Sequence, residues 1–177
     1  MLQVKKSITV KRSREDVYQF WRDFKNFSRF MHHVERVEVS GERRSHWVAK
    51  APAGQVVEWD AEIVEDRANE FIAWRSLPGS DVQNQGWVRF VKAPADRGTE
   101  VHVELQYDAP AGSVGAMIAK LFGEEPGQQV RDDLRRFKQV METGEVVLSD
   151  GSLEGAGQGA SKQRPAQAPE EELEARR

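Results

Sequence analysis

Carboxylates and histidines are the side chains of this sequence that could take part in proton transfer or metal binding. Glu58, Asp60 and Glu62 alternate along one stretch and have the chemistry of general acids or bases. A catalytic carboxyl group usually needs burial to tune its pKa. Here the alternation places the three carboxylates opposite the apolar residues Val57 and Trp59, on the face expected to meet solvent. The pattern therefore favours a solvated strand face over an acid–base site.

The four histidines do not converge in the sequence. A metal site needs three or four ligands that meet at one point. His102 stands beside Glu100 on the polar face of a predicted strand, and His46 lies on another strand. His32 and His33 fall where a predicted helix passes into a strand. We therefore predict no metal site.

Several kinds of chemistry are excluded by composition and by missing motifs. The chain has no Cys, which excludes a thiol nucleophile, a Cys-ligated zinc ion and an iron–sulfur cluster. Neither Ser76 nor Ser113 lies in a G-x-S-x-G motif, and no glycine pattern for a nucleotide is present. We predict no cofactor.

Charge and hydropathy narrow the expected partners and location. There are 26 Lys and Arg against 29 Asp and Glu, a net charge of −3, so no basic excess favours nucleic acid. The apolar runs are shorter than the roughly 18 residues that a membrane span requires. The amino-terminal residues do not resemble a signal peptide. We expect a cytoplasmic protein.

Aromatic and aliphatic side chains on one face of the predicted strands are the main candidate site. All 5 Trp, 2 Tyr and 8 Phe lie between Tyr18 and Phe137. The residues expected to face inward are Val57, Trp59, Ile72, Trp74, Val88, Phe90, Val103, Leu105 and Tyr107 from strands, with Met117, Leu121, Leu134 and Phe137 from helices. A filled core would explain each of them through burial alone, at about 1.5–3 kcal/mol per side chain. Lining of a ligand pocket is the alternative, and composition does not separate the two.

The elements that would position these residues begin with a strand over residues 2–10. A helix follows over residues 14–24, with Ser13 as its N-cap and an apolar face at helical spacing. A second short helix is predicted over residues 26–31. About six strands with short turns then follow, which favours an antiparallel meander, since parallel neighbours need long crossovers.

A long carboxy-terminal helix is expected to cover the apolar face of this sheet. Its predicted first half, residues 114–122, is separated by Pro126 from a second half that ends at Gly144. The first half could also act as a gate or touch a membrane transiently, but it carries one Lys and no basic face, so stable anchoring is not expected. Residues 149–177 lack aromatic residues and are predicted to be a disordered Gly/Ala/Glu-rich tail, after a domain of residues 1–148.

This order of elements resembles the START-like helix-grip (SRPBCC, Bet v-like) superfamily. The resemblance covers residues 1 to about 145 and includes SREDVYQFWRDFKNFSRFM, FIAWRSLPGSDVQNQGWVRF and LFGEEPGQQVRDDLRRFKQVMETGE. Within this superfamily the sequence resembles the bacterial polyketide cyclase/dehydrase group, near the coenzyme Q-binding START-like proteins. The resemblance implies an α+β fold with a curved antiparallel sheet of about seven strands around a long carboxy-terminal helix. It also implies an apolar cavity between them.

Two functions follow from this resemblance. The first is a carrier or chaperone that binds a small hydrophobic molecule such as a lipid, an isoprenoid quinone or a polycyclic aromatic compound. The alternative is a polyketide aromatase/cyclase that uses polar groups in the same cavity. An enzyme would need several such groups deep in the cavity, and among the inward residues only Tyr107 qualifies. The sequence therefore favours the binding protein.

Overall fold

The computed structural model describes residues 2–108 and 126–144. The first elements are strand β1 (Leu2–Val10), helix α1 (Arg14–Arg22) and a 3₁₀ helix (Phe24–Arg29). Six strands follow, namely β2 (Val34–Val39), β3 (Arg44–Lys50), β4 (Val56–Arg67), β5 (Phe71–Ser76), β6 (Gln83–Lys92) and β7 (Thr99–Asp108). Helix α2 (Pro126–Thr143) is the last described helix. Single 3₁₀ turns at Pro52–Gly54 and Pro94–Asp96 join β3 to β4 and β6 to β7.

The strands described form one curved antiparallel sheet in the order β1-β7-β6-β5-β4-β3-β2. From β2 to β7, strands that are consecutive in sequence are also neighbours in the sheet, as the short turns predict. β1 pairs with β7 along its whole length, from Leu2 opposite Tyr107 to Val10 opposite Thr99. The predicted α+β helix-grip fold is confirmed.

Helix α1 begins where the sequence predicts and ends slightly earlier. The backbone N–H of Asp16 donates a 3.1 Å hydrogen bond to Ser13 Oγ, which caps the first turn. The helix ends at Arg22, and the segment after it is a 3₁₀ helix rather than a second α-helix. Asp23 caps that segment by accepting a hydrogen bond from the Lys25 N–H. Phe24 therefore lies beyond the helix that its spacing had placed it on.

Strand β2 carries an irregularity that changes which of its valines are buried. Its pairing with β3 shifts between Val34 and Arg36, which is typical of a β-bulge. Val34 and Val37 are consequently both buried although they are three residues apart, whereas Val39 is 43% exposed. A second shift between Ile63 and Glu65 interrupts the alternation of β4 in the same way.

Helix α2 packs along β1, and polar bonds at its carboxyl end hold it there. Lys138 Nζ donates to the Thr9 carbonyl at 2.6 Å, and Arg12 Nε donates to the Met141 carbonyl at 2.8 Å. Gly144 ends the helix with φ +81°, the left-handed conformation that a terminal glycine adopts readily. Pro126 is the first helical residue, where its missing N–H costs no hydrogen bond.

The apolar face of the sheet meets the helices as the alternation predicts. Ile72, Val88 and Val101 are fully buried, and Tyr107 and Phe90 are each 2% exposed. The expected first half of the carboxy-terminal helix, with Met117 and Leu121, and the expected tail lie outside the described residues. Within residues 2–108 and 126–144, no helix is long and apolar enough to cross a membrane.

Candidate functional site

An apolar cavity of about 150 Å³ lies between the sheet, the amino-terminal helical segment and α2. A cavity of about this size, lined by apolar side chains, can hold a small aromatic molecule. Its aromatic lining consists of Trp21, Phe24, Phe27, Phe30, Trp47, Trp59 and Trp74. Aliphatic lining comes from Met31, Val34, Ala49, Ala61, Val82, Val103, Leu105, Val130 and Leu134. The polar lining residues are His33, Ser45, Glu62, Asn84, Gln129 and Asp133.

The structure brings only part of the predicted site together at this cavity. Trp59, Trp74, Val103, Leu105 and Leu134 line it. Six other predicted residues are buried but do not line it. Ile72, Val88, Phe90 and Phe137 lie in the main core cluster. Val57 packs against Ala49 and Val82, which do line the cavity, and Tyr107 is 2% exposed. Met117 and Leu121 are among the residues that the structure does not describe.

The reason for this division is that α1 fills one end of the curved sheet. Tyr18 packs edge-on against Phe90 with ring centroids 6.0 Å apart, and Trp21 approaches the same ring at 6.2 Å. The cavity lies toward the other end, where Trp74 pairs with Gly86 and Gly86 with Leu105. Alternation identifies the inward face correctly but does not show where along that face the helices leave space.

Gly86 allows Trp74 to lie across the neighbouring strand. A Cβ atom at Gly86 would stand 2.7 Å from Trp74 Cζ2 and would also collide with the Glu104 carbonyl oxygen. Real side chains do not tolerate such a contact, so the absence of a side chain on β6 provides the room for the indole. The position of Trp74 on the cavity wall thus depends on a glycine one strand away.

A stacked pair of indoles forms another part of the wall. Trp47 and Trp59 are directly opposite each other on β3 and β4, with centroids 5.7 Å apart and planes inclined by 12°. Trp47 Nε1 donates a 2.9 Å hydrogen bond to the buried Ser45 Oγ. Because this bond satisfies its polar atom, Trp47 presents an aromatic surface in a defined orientation.

Asp133 is the buried ionisable side chain of the cavity wall. The residue is 6% exposed, and Arg136 donates a 2.6 Å hydrogen bond to its Oδ1. Burial raises the pKa of the Asp133 carboxyl to about 7, against the opposing effect of the Arg136 guanidinium. No hydrogen bond reaches Asp133 Oδ2 from the residues that the structure describes. A carboxyl group whose pKa is raised to about 7 therefore lines a mainly apolar wall.

Sequence reasoning missed Asp133 and the aromatic residues of the amino-terminal segment. Asp133 stands three residues after Val130 and four before Phe137, so helical spacing already placed it on the buried face. Phe27 and Phe30 showed helical spacing as well, but only the curvature of the sheet shows that they close the same space as Trp59. The signal for Asp133 was a charged residue within an apolar stripe.

The histidines that the sequence singled out do not come together in one cluster. His46 Nδ1 is 2.8 Å from Asp60 Oδ1, and His102 Nε2 is 3.1 Å from Glu100 Oε2. His33 lies on the cavity wall. Within the part of the chain that the structure describes, no three His, Asp or Glu side chains are grouped so as to hold a metal ion.

Comparisons with known proteins agree with this architecture. A protein of 17.2 kDa from Streptomyces lincolnensis, described as uncharacterised, is 33% identical over 142 residues, which cover 80% of this chain and 91% of that protein. A crystal structure from Deinococcus radiodurans has a TM-score of 0.65 and 41% identity, and covers 81% of this chain and 99% of that chain.

A more distant neighbour is the Zhui aromatase/cyclase from a Streptomyces species. It has a TM-score of 0.60 and 16% identity, over 82% of this chain and 99% of that chain. At this identity the likeness concerns the fold alone. Residues 10–135 match the family described as polyketide cyclase/dehydrase and lipid transport. With the helix-grip fold and the apolar cavity, this match places the chain in that family, within the START-like superfamily.

Proposed function

We propose that this protein binds a small hydrophobic molecule in the cavity between the sheet and α2, as a carrier or chaperone. The observation that carries the proposal is the cavity itself, whose wall includes Trp47, Trp59 and Trp74. Trp47 and Trp59 stack on each other, but together with the other lining side chains they leave about 150 Å³ of space, more than a close-packed core retains. Removing apolar ligand surface from water supplies the binding free energy.

The cavity chemistry supports an apolar ligand with few polar groups. Ligand pockets are typically lined by apolar and aromatic side chains, with a small number of polar groups that set orientation. In this cavity Ser45 is already bonded to Trp47, and Glu62 Oε1 accepts a 2.8 Å bond from Arg75. Two of the six polar lining residues are thus already bonded within the protein, and the other 16 described lining residues are apolar or aromatic. A lipid, a quinone or an aromatic compound fits this description.

Replacement of Trp74 by Ala should weaken binding of a naphthoquinone such as menadione about tenfold, which corresponds to roughly 1.4 kcal/mol. The reason is that a large aromatic contact surface on the cavity wall is lost. Isothermal titration calorimetry of the wild-type protein and the variant measures the change in Kd. Circular dichroism verifies that the variant is folded.

Trp87 provides a matched control on the adjacent strand. It lies on the opposite face of the sheet, stacked on Phe71 with centroids 6.0 Å apart and with Arg89 5.5 Å from its ring. Trp87→Ala should change the Kd less than about twofold, since surface contacts far from a site contribute little to it. Equal losses in the two variants would refute binding in the cavity.

A catalytic function of the cyclase type is the second candidate, and Asp133 favours it. A carboxyl group with a pKa of about 7 is suited to general acid–base catalysis at neutral pH. Proton transfer to a polyketide-like substrate would use this group. Turnover of such a substrate by the wild-type protein, abolished in Asp133→Asn, would support catalysis, and binding without turnover would support the carrier.

A further inference from the structure

The described part of the cavity wall contains two carboxyl groups and no Lys or Arg. Among the described lining residues, the ionisable side chains are Glu62, Asp133 and His33, and no Lys or Arg is among them. Glu62 is neutralised by Arg75 on the solvent side of the sheet. Arg136 is not a lining residue, but its guanidinium forms an ion pair with Asp133 Oδ1 at 2.6 Å, and its Nε is bonded to the Phe30 carbonyl at 2.9 Å. Among the described residues, the wall therefore presents the second carboxylate oxygen of Asp133 and no Lys or Arg side chain.

The aromatic residues add negative electrostatic potential of their own. The face of an indole ring carries the negative part of its quadrupole, which attracts cations and repels anions. Trp21, Trp47, Trp59 and Trp74 all line the cavity. Cation–π attraction strengthens when the cation is desolvated, as it would be against these mainly apolar side chains.

Asp133 supplies the anchoring group for a ligand cation. Its Oδ1 accepts the bond from Arg136, and its Oδ2 accepts none from the described residues. An ammonium group at Oδ2 would form a charge-assisted hydrogen bond, the strong kind in a low-dielectric site. It would also compensate the desolvation that now disfavours the ionised carboxyl group. An anionic ligand headgroup would meet repulsion from the same atoms.

We propose that the ligand is a hydrophobic amine, bound with its aromatic or aliphatic body against the tryptophans and its protonated nitrogen on Asp133. This proposal rests on the proposed function, because it names the chemical class of the molecule held in the cavity. It excludes fatty acids and other ligands whose buried end is a carboxylate or a phosphate.

Three probes of nearly the same size and shape test the proposal, namely phenethylamine, phenethyl alcohol and phenylacetate. Calorimetry at pH 8 measures their Kd values for the full chain. We expect the amine to bind about tenfold more tightly than the alcohol, and phenylacetate more weakly than both. The variant Asp133→Asn should bind the amine and the alcohol equally, because it removes the charge but retains the shape of the side chain.

Asp132→Asn is the matched control, since Asp132 is more exposed, does not line the cavity and pairs with Arg135. It should retain the preference for the amine. Equal affinity for the amine and the alcohol, or tighter binding of phenylacetate, would overturn the proposal while leaving the cavity as the binding site. Binding of none of the three probes, together with none of menadione, would instead contradict the proposed function itself.

Discussion

Replacing Phe137 by Ala is expected to lower the free energy of unfolding by about 3–5 kcal/mol, the range for a fully buried phenylalanine. Phe137 has no solvent exposure. Its ring centroid lies 5.2 Å from those of Trp21 and Phe30 and 5.8 Å from that of Phe20. The substitution removes apolar surface and aromatic pairs at the same point, and it leaves a cavity that surrounding rings fill only in part.

Urea unfolding followed by circular dichroism measures this loss. Val64→Ala is the control, because Val64 is 47% exposed and such surface changes usually alter stability by less than about 0.5 kcal/mol. A loss below about 1.5 kcal/mol for Phe137→Ala would contradict the packing of α2 on the amino-terminal helical segment. The same contacts hold Leu134 and Asp133 of α2 at the cavity, so ligand binding should weaken with stability.

The Asp133 carboxyl should make the stability of the protein fall as the pH rises from 5 to 8. Its pKa is about 7 in the folded protein and near 3.8 as an ordinary carboxyl. Between these values the folded state retains a proton that the unfolded state has lost, so a rise in pH favours unfolding. Above pH 7 the carboxyl group is ionised in both states, and the whole of its stabilising contribution to the folded state has been lost.

Asp133→Asn isolates this contribution, because the amide oxygen retains the hydrogen bond from Arg136 without the charge. Relative to the variant, the wild-type protein should lose about 3 kcal/mol of unfolding free energy between pH 5 and pH 8. Urea denaturation at each pH provides the measurement, and Asp132→Asn should keep the wild-type slope. Parallel profiles for the wild-type protein and Asp133→Asn would show that the carboxyl group is not desolvated.

Most of the fold follows from local patterns in the sequence. Strand alternation in β5 to β7, and in β4 before its irregularity at Ile63, identified the inward residues such as Trp74 and Val103, because successive side chains of a strand point to opposite faces. Ser13 and Gly144 marked helix ends through capping chemistry that involves only nearby backbone atoms. The family resemblance supplied the arrangement of sheet and helix, which periodicity alone does not determine.

The extent of the cavity depends on contacts between distant elements and was harder to predict. Phe90 is covered by Tyr18 and Trp21 of α1, whereas Trp74 lies beyond the reach of α1 and lines the cavity. Asp133 was overlooked because a charged residue on a helix is normally expected to face solvent. The boundary between residues 1–148 and a tail of residues 149–177, and the cytoplasmic location, remain predictions.

The measurement closest to the central claim is mass spectrometry of an organic extract of the purified full-length protein. The proposal predicts that one class of hydrophobic compound is recovered from the wild-type protein and from Trp87→Ala, and much less from Trp74→Ala. Repeated extracts of the wild-type protein that contain no such compound, together with no binding of menadione or phenethylamine by calorimetry, would contradict a ligand-binding cavity.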